Sequence, residues 1–170
     1  MLRISLSLCC AAIVAWAPPA RAGEVLVTAL AGEVGSLSAG GPLAPFVRLK
    51  PGEDLRAALE QKTKDLQIKA GWIVTCAGSL TDYCIRFANQ PDSSTGSGHF
   101  EIVSLTGTLS PDGPHLHIAI SDSTGKTIGG HLMKGCKIYT TAEIVIQSSE
   151  QFTFERKKDG TTPWEELQIK

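Results

Sequence analysis

Strict alternation of apolar and polar residues on both sides of an Asp-Ser-Thr-Gly turn constrains this chain more than any other feature. The stretch reads Pro114-His115-Leu116-His117-Ile118-Ala119-Ile120-Ser121-Asp122-Ser123-Thr124-Gly125-Lys126-Thr127-Ile128-Gly129-Gly130-His131-Leu132. A period of two on either flank of a turn specifies two antiparallel strands. A loop of Ser123, Thr124 and Gly125, with Gly125 left-handed, makes Asp122 face Lys126. That register sets His117 opposite His131, with His115 two residues along on the same face. Opposed side chains in such a pair stand roughly 4.5–5.5 Å apart at Cβ, which is chelating distance. Leu116, Ile118, Ile120, Ile128 and Leu132 fall on the other face and are expected to meet the core. Ala119 and Gly129 share the histidine face and leave room on it. A one-residue slip would carry His131 to the wrong side, so the reading depends on the loop.

Neutral imidazole suits zinc, copper, nickel and iron. Three protein ligands plus water is the open arrangement of catalytic zinc sites. His115, His117 and His131 are therefore the candidate ligands of a divalent transition metal, zinc foremost, although three histidines do not by themselves fix the ion. The plainer alternative is three polar residues on a solvated sheet face.

At 170 residues the chain suits one domain with a sizeable core. A net charge of −1 gives no global attraction for a polyanion. The one dense basic run, Arg156-Lys157-Lys158, lies between Glu155 and Asp159 and reads as a solvated turn. Residues 1–22 have the pattern of a targeting segment: Arg3, an apolar stretch from Ile4 to Trp16, a Pro18-Pro19 break, and Ala20-Arg21-Ala22 as a cleavage site. Export with cleavage near Ala22 is the first reading and organelle import the second. The apolar stretch is too short to span a membrane.

Residues 23–43 read as an N-terminal strand, about 24–30, and a Gly/Ser/Pro-rich loop, 35–42. Residues 44–170 read as the main domain. A strand is expected over 45–50. Pro51-Gly52-Glu53-Asp54 opens a helix with acids in its first turn, an apolar stripe of Leu55, Ala58, Leu59 and Leu66, and an end near 66–71. Strands follow over 71–77, 84–88, 100–109 (bent at Gly107), 139–147, 152–156 and 166–170, with a polar loop at 89–98. One helix among many strands argues against a parallel βαβ sheet. Cys76 and Cys84 flank a turn at Gly78-Ser79-Leu80-Thr81-Asp82. They are either a cross-hairpin disulfide or two buried thiols.

Catalytic machinery is thinly signalled. A metal-activated water would need a proton shuttle and a substrate clamp, for which Glu101 and Arg86 are the candidates; a salt bridge between them is the simpler explanation. His99 is a fourth ligand, a relay or a solvated loop-edge residue. Asp82, Asp92 and Asp122 read as turn residues. There is no phosphate-binding glycine loop and no GxSxG elbow.

Four segments together resemble the PPC, or plant and prokaryote conserved, domain. They are 48–55 (Arg-Leu-Lys-Pro-Gly-Glu-Asp-Leu), 78–80 (Gly-Ser-Leu), 98–107 (Gly-His-Phe-Glu-Ile-Val-Ser-Leu-Thr-Gly) and 125–132 (Gly-Lys-Thr-Ile-Gly-Gly-His-Leu). The resemblance spans about residues 44–156. His99 stands where the family's Gly-Arg-Phe-Glu-Ile motif has arginine. The resemblance implies an α+β fold, a largely antiparallel sheet with one main helix packed on it, and a homotrimer. It also implies a metal on His115, His117 and His131, as in some prokaryotic members. It brings a DNA-binding label too, but in plant members the DNA contact is attributed to an AT-hook, and no Arg-Gly-Arg-Pro occurs here. Three functions therefore compete: a metal-binding trimer, a nucleic-acid binder and a trimeric protein-interaction module. The missing basic stripe weighs against the second.

Overall fold

The computed structural model describes residues 34–35 and 45–170. The expected targeting segment 1–22, the strand at 24–30 and most of the loop at 35–42 lie outside the described residues. The strands are β1 (Val34–Gly35), β2 (Phe46–Leu49), β3 (Gly71–Arg86), β4 (Ser94–Leu109), β5 (His115–Ser121), β6 (Thr127–Leu132), β7 (Lys137–Ser148), β8 (Phe154–Lys157) and β9 (Glu166–Ile169), with one helix, α1 (Leu55–Asp65). The first seven strands form one antiparallel sheet in the order β1-β2-β7-β3-β4-β5-β6. β6 also pairs with the far end of β3, through Ile85↔Leu132 and Arg86↔His131, so β3, β4, β5 and β6 close into a ring. β8 and β9 make a separate ribbon. The fold is thus α+β and mostly antiparallel, with a single helix among the described residues.

Local chemistry explains α1. The Asp54 carboxylate accepts from the Ala57 amide at 3.0 Å, so Asp54 caps the helix from outside. The first turn itself holds no acid, contrary to the expectation from Glu53 and Asp54. The second oxygen of Asp54 takes the Gly135 amide at 2.6 Å and ties the helix start to the β6–β7 connection. Gln67, at φ 52°, carries the chain out of the helix. Leu55 and Leu59 are fully buried in one apolar cluster with residues of the sheet. Leu59→Ala should therefore destabilise the fold by about 2–5 kcal/mol, read as a shift in denaturant midpoint at constant slope. A shift worth under about 0.5 kcal/mol would mean the stripe contributes nothing to the core.

Residues 78–82 are not a turn. β3 runs unbroken from Gly71 to Arg86, and its pairing with β7 is irregular between Gly78 and Asp82. The glycine there serves close approach, since a Cβ on Gly78 would lie 2.2 Å from the Thr141 carbonyl oxygen. Cys76 and Cys84 consequently sit eight residues apart on one strand, about 26 Å at 3.3 Å per residue, and cannot pair. Cys76, Cys84 and Cys136 are all free thiols. Burial, with Glu143 adding to it, pushes the Cys76 thiol up to about 12, and burial pushes Cys136 up to about 11. Iodoacetamide at pH 8 should thus leave Cys76 and Cys136 unmodified in the native protein and label both after unfolding, read by mass spectrometry. Labelling of either before unfolding would contradict the packing.

Two further expectations are corrected. The polar loop at 89–98 is shorter, because β4 begins at Ser94 and Gly96 pairs with Tyr83. A Cβ on Gly96 would fall 2.6 Å from the Tyr83 ring, so the small polar residues here let an aromatic ring lie across the strand. Arg156 and Lys157 belong to β8 rather than to a turn.

Candidate metal centre

The hairpin loop sets the register. Asp122 Oδ1 accepts from the Thr124 amide at 2.8 Å, the Thr124 hydroxyl at 2.6 Å and the Lys126 amide at 3.1 Å. The Asp122 amide donates to the Lys126 carbonyl at 3.0 Å, and Gly125 takes φ 82°. β5 and β6 then pair as expected: His117↔His131, Ala119↔Gly129, Ser121↔Thr127. Leu116, Ile118, Ile120 and Leu132 are buried on the far face, which fixes the histidines on the near one.

The three rings converge. Centroids of His115 and His117 are 5.2 Å apart, those of His115 and His131 5.3 Å, and those of His117 and His131 4.6 Å. One ring nitrogen from each lies within 4.8 Å of the other two. Tetrahedral zinc–imidazole bonds of about 2.0–2.1 Å set donors roughly 3.4 Å apart, so the rings must draw closer to grip an ion. No other group of three or more His, Cys, Asp or Glu side chains meets this condition among the described residues.

Arginines surround the cluster. Arg56 on α1 donates to the Leu132 carbonyl at 2.8 Å and the Pro114 carbonyl at 3.3 Å, pinning the end of β6 to the start of β5 beside His131 and His115. Its Nε pairs with Glu60 at 3.0 Å. Arg86 is the strand partner of His131. Arg156 donates to the hydroxyl of Thr108, itself the partner of His115 on β4. Burial, then the charge of Arg156 and the other two histidines, pushes His115 down to about 4, against a small opposing effect of Glu166. Burial, then Arg86, His117 and Arg56, lowers His131. At pH 7 both rings are neutral and keep the lone pair that coordination needs.

The other candidates divide. Arg86 is at the site. Glu101 is not: it pairs with Ser121, while His117 pairs with Thr106 five residues along β4, about 16 Å away at strand rise. The expected Arg86–Glu101 salt bridge is absent among the described residues, and Arg86 donates instead to the Gln90 carbonyl at 3.3 Å. His99 lies within β4 and stacks on Tyr139 with centroids 4.2 Å apart, outside the cluster. Asp82 accepts from the Ser97 and Thr81 hydroxyls, a strand role rather than a turn role. Arg56 and Arg156 went unsignalled because they arrive from segments remote in sequence, with no motif joining them to the hairpin.

Comparison with known proteins agrees with this architecture. The profile of the Plants and Prokaryotes Conserved (PCC) domain matches residues 37–150. A bifunctional protein GlmU from Synechococcus sp. is 44% identical over 123 residues, which cover 72% of this chain and 20% of that protein. The chain thus spans about one fifth of the length of that curated relative. The structure of a hypothetical protein from Salmonella enterica matches with TM-score 0.73 at 40% identity, over 77% of this chain and 96% of the other. A metal-containing protein from Archaeoglobus fulgidus matches with TM-score 0.62 at 23% identity, over 84% and 99%. A candidate DNA-binding protein from Bacteroides thetaiotaomicron matches with TM-score 0.68 at 22% identity, over 79% and 96%. The last two likenesses concern the fold.

Proposed function

Since the chain belongs to the Plants and Prokaryotes Conserved (PCC) domain family, we propose that it is a metal-binding member, holding one divalent transition ion, zinc foremost, on His115, His117 and His131. The observation that carries this reading is the convergence of three ring nitrogens within 4.8 Å on one face of a hairpin. The donor set fits the group, being three imidazoles of which His115 and His131 are held neutral by burial and nearby guanidinium charge. The Archaeoglobus relative described as metal-containing supports it. Bound there with a coordination position left open, such an ion supplies Lewis acidity and a water of lowered pKa. The chain's own part is orientation: Arg56 fixes the strand ends and Thr106 and Thr108 lie opposite His117 and His115.

The proposal includes self-association as a trimer. Val74, Val103 and Tyr139, on the neighbouring strands β3, β4 and β7, are between 41% and 57% exposed, apolar side chains that a second copy would cover. It also includes export, with cleavage near Ala22. DNA binding is the second reading, favoured by the Bacteroides relative. The net charge of −1 weighs against it.

Elemental analysis of the purified protein tests the first reading, with about one ion per chain expected. Metal-free protein that also fails to take up zinc would overturn it. Salt-dependent retention of duplex DNA by metal-free protein would move the assignment to the second.

A further inference from the structure

A cavity of about 580 Å³ opens beside the histidines. Its wall includes His115, His131, Arg56, Arg86, Arg156 and Trp164. The three guanidinium groups are not equivalent. Arg56 is spent on Glu60 and two carbonyls. Arg86 uses one of its donors, on the neutral Gln90 carbonyl. The guanidinium of Arg156 donates to the Glu165 carbonyl and the Thr108 hydroxyl, both neutral. Among the described residues neither Arg86 nor Arg156 has a carboxylate partner.

None of the three acids on the same wall, Asp112, Glu165 and Glu166, forms an ion pair with either guanidinium. Asp112 accepts the Arg156 backbone amide rather than its guanidinium, and Glu166 accepts the Thr162 hydroxyl. Arg86 stands across from His131, and Arg156 reaches Thr108, which is opposite His115. Two guanidinium groups without a carboxylate partner thus stand beside His131 and His115. A guanidinium whose charge meets no carboxylate in a concave site matches the oxygens of an incoming carboxylate or phosphate. Trp164, 68% exposed, adds a flat apolar surface to the wall.

We propose that this cavity seats a small organic anion, a carboxylate or a phosphate monoester with a flat apolar body. The ion held by the histidines would lend its positive charge to the anionic end. Arg86 and Arg156 take the remaining charge, and Trp164 covers the body. This rests on the metal-binding reading and names the ligand class of that site.

Calorimetric titration of the zinc-loaded protein with benzoate, phenyl phosphate and neutral benzamide tests it. Either anion should bind at least about tenfold more tightly than benzamide, and the tighter of the two identifies the oxyanion. Arg86→Gln and Arg156→Gln should each weaken that anion at least about tenfold while zinc content, measured on the same samples, stays unchanged. Arg86→Gln carries the test should Arg156→Gln loosen the β8–β9 ribbon. Loaded protein that does not distinguish the anions from benzamide, or an Arg86→Gln variant that binds them as tightly as wild type, overturns this inference and leaves the metal reading standing. Protein that takes up no zinc overturns both.

Discussion

Zinc added to metal-free His117→Ala protein is expected to bind at least about a hundredfold more weakly than to wild type, and the variant should leave purification with little metal. Losing an outer-sphere partner of a zinc site typically costs about 10–100-fold, and His117 would be a direct ligand. It is also the most exposed of the three rings, with His115 and His131 half-buried. Its removal therefore opens no core cavity, and folding should be nearly untouched. That separation matters, because a variant that fails to fold would lose metal for an uninformative reason. Thermal midpoints of the metal-free wild type and variant should agree within a few degrees. In the presence of zinc only the wild type should gain, since a ligand that binds only the folded state stabilises in proportion to the logarithm of its excess over Kd. Equal metal content in the two proteins would remove the assignment of these residues.

How far the sequence carried the site follows from the range of the interactions involved. The β5–β6 register was legible because one carboxylate, Asp122, satisfies three donors within four residues, and because alternation then dictates every facing pair. Nothing so local announces the closure of β6 onto β3. That closure requires Gly130, where a Cβ would sit 2.6 Å from the Arg86 carbonyl oxygen, and in sequence Gly130 is simply a second glycine in a strand. The arginines were hidden for the same reason: Arg56 meets Leu132 across 76 positions and Pro114 across 58. The false turn at residues 78–82 has a different cause. Gly, Ser and Asp are read as turn formers, yet here Ser79 hydrogen-bonds Thr140 across the sheet at 2.7 Å, and Asp82 takes Ser97 from the neighbouring strand at 2.6 Å. In a strand pressed closely between two others, small polar residues are the ones that fit.

The same logic makes Gly107→Ala the most damaging single-methyl change expected here. Gly107 sits in β4 at φ 134°, a conformation that L side chains rarely adopt. It faces Leu116, and a Cβ on it would lie 2.0 Å from the His115 carbonyl oxygen and 2.9 Å from the Leu116 Cα. Both are backbone atoms, so no side-chain rotation relieves the clash; β5 must move away from β4 at the residue that begins the histidine set. Backbone strain of about 1–3 kcal/mol then adds to lost strand pairing, for an expected total of about 4 kcal/mol or more, which lies in the exceptional range for a point change. Gly125→Ala is the matched control. It too places a Cβ at positive φ, 82°, but nothing lies within 4 Å of it. Its cost should be that of the left-handed conformation alone, about 1–2 kcal/mol. Urea unfolding of the two metal-free variants separates strain from collision. Whatever Gly107→Ala protein remains folded should also bind zinc more weakly, because the displaced segment carries His115. A Gly107→Ala cost no larger than that of Gly125→Ala would mean β4 and β5 yield freely at this point. The histidine face would then be a loosely held surface rather than a preformed grip.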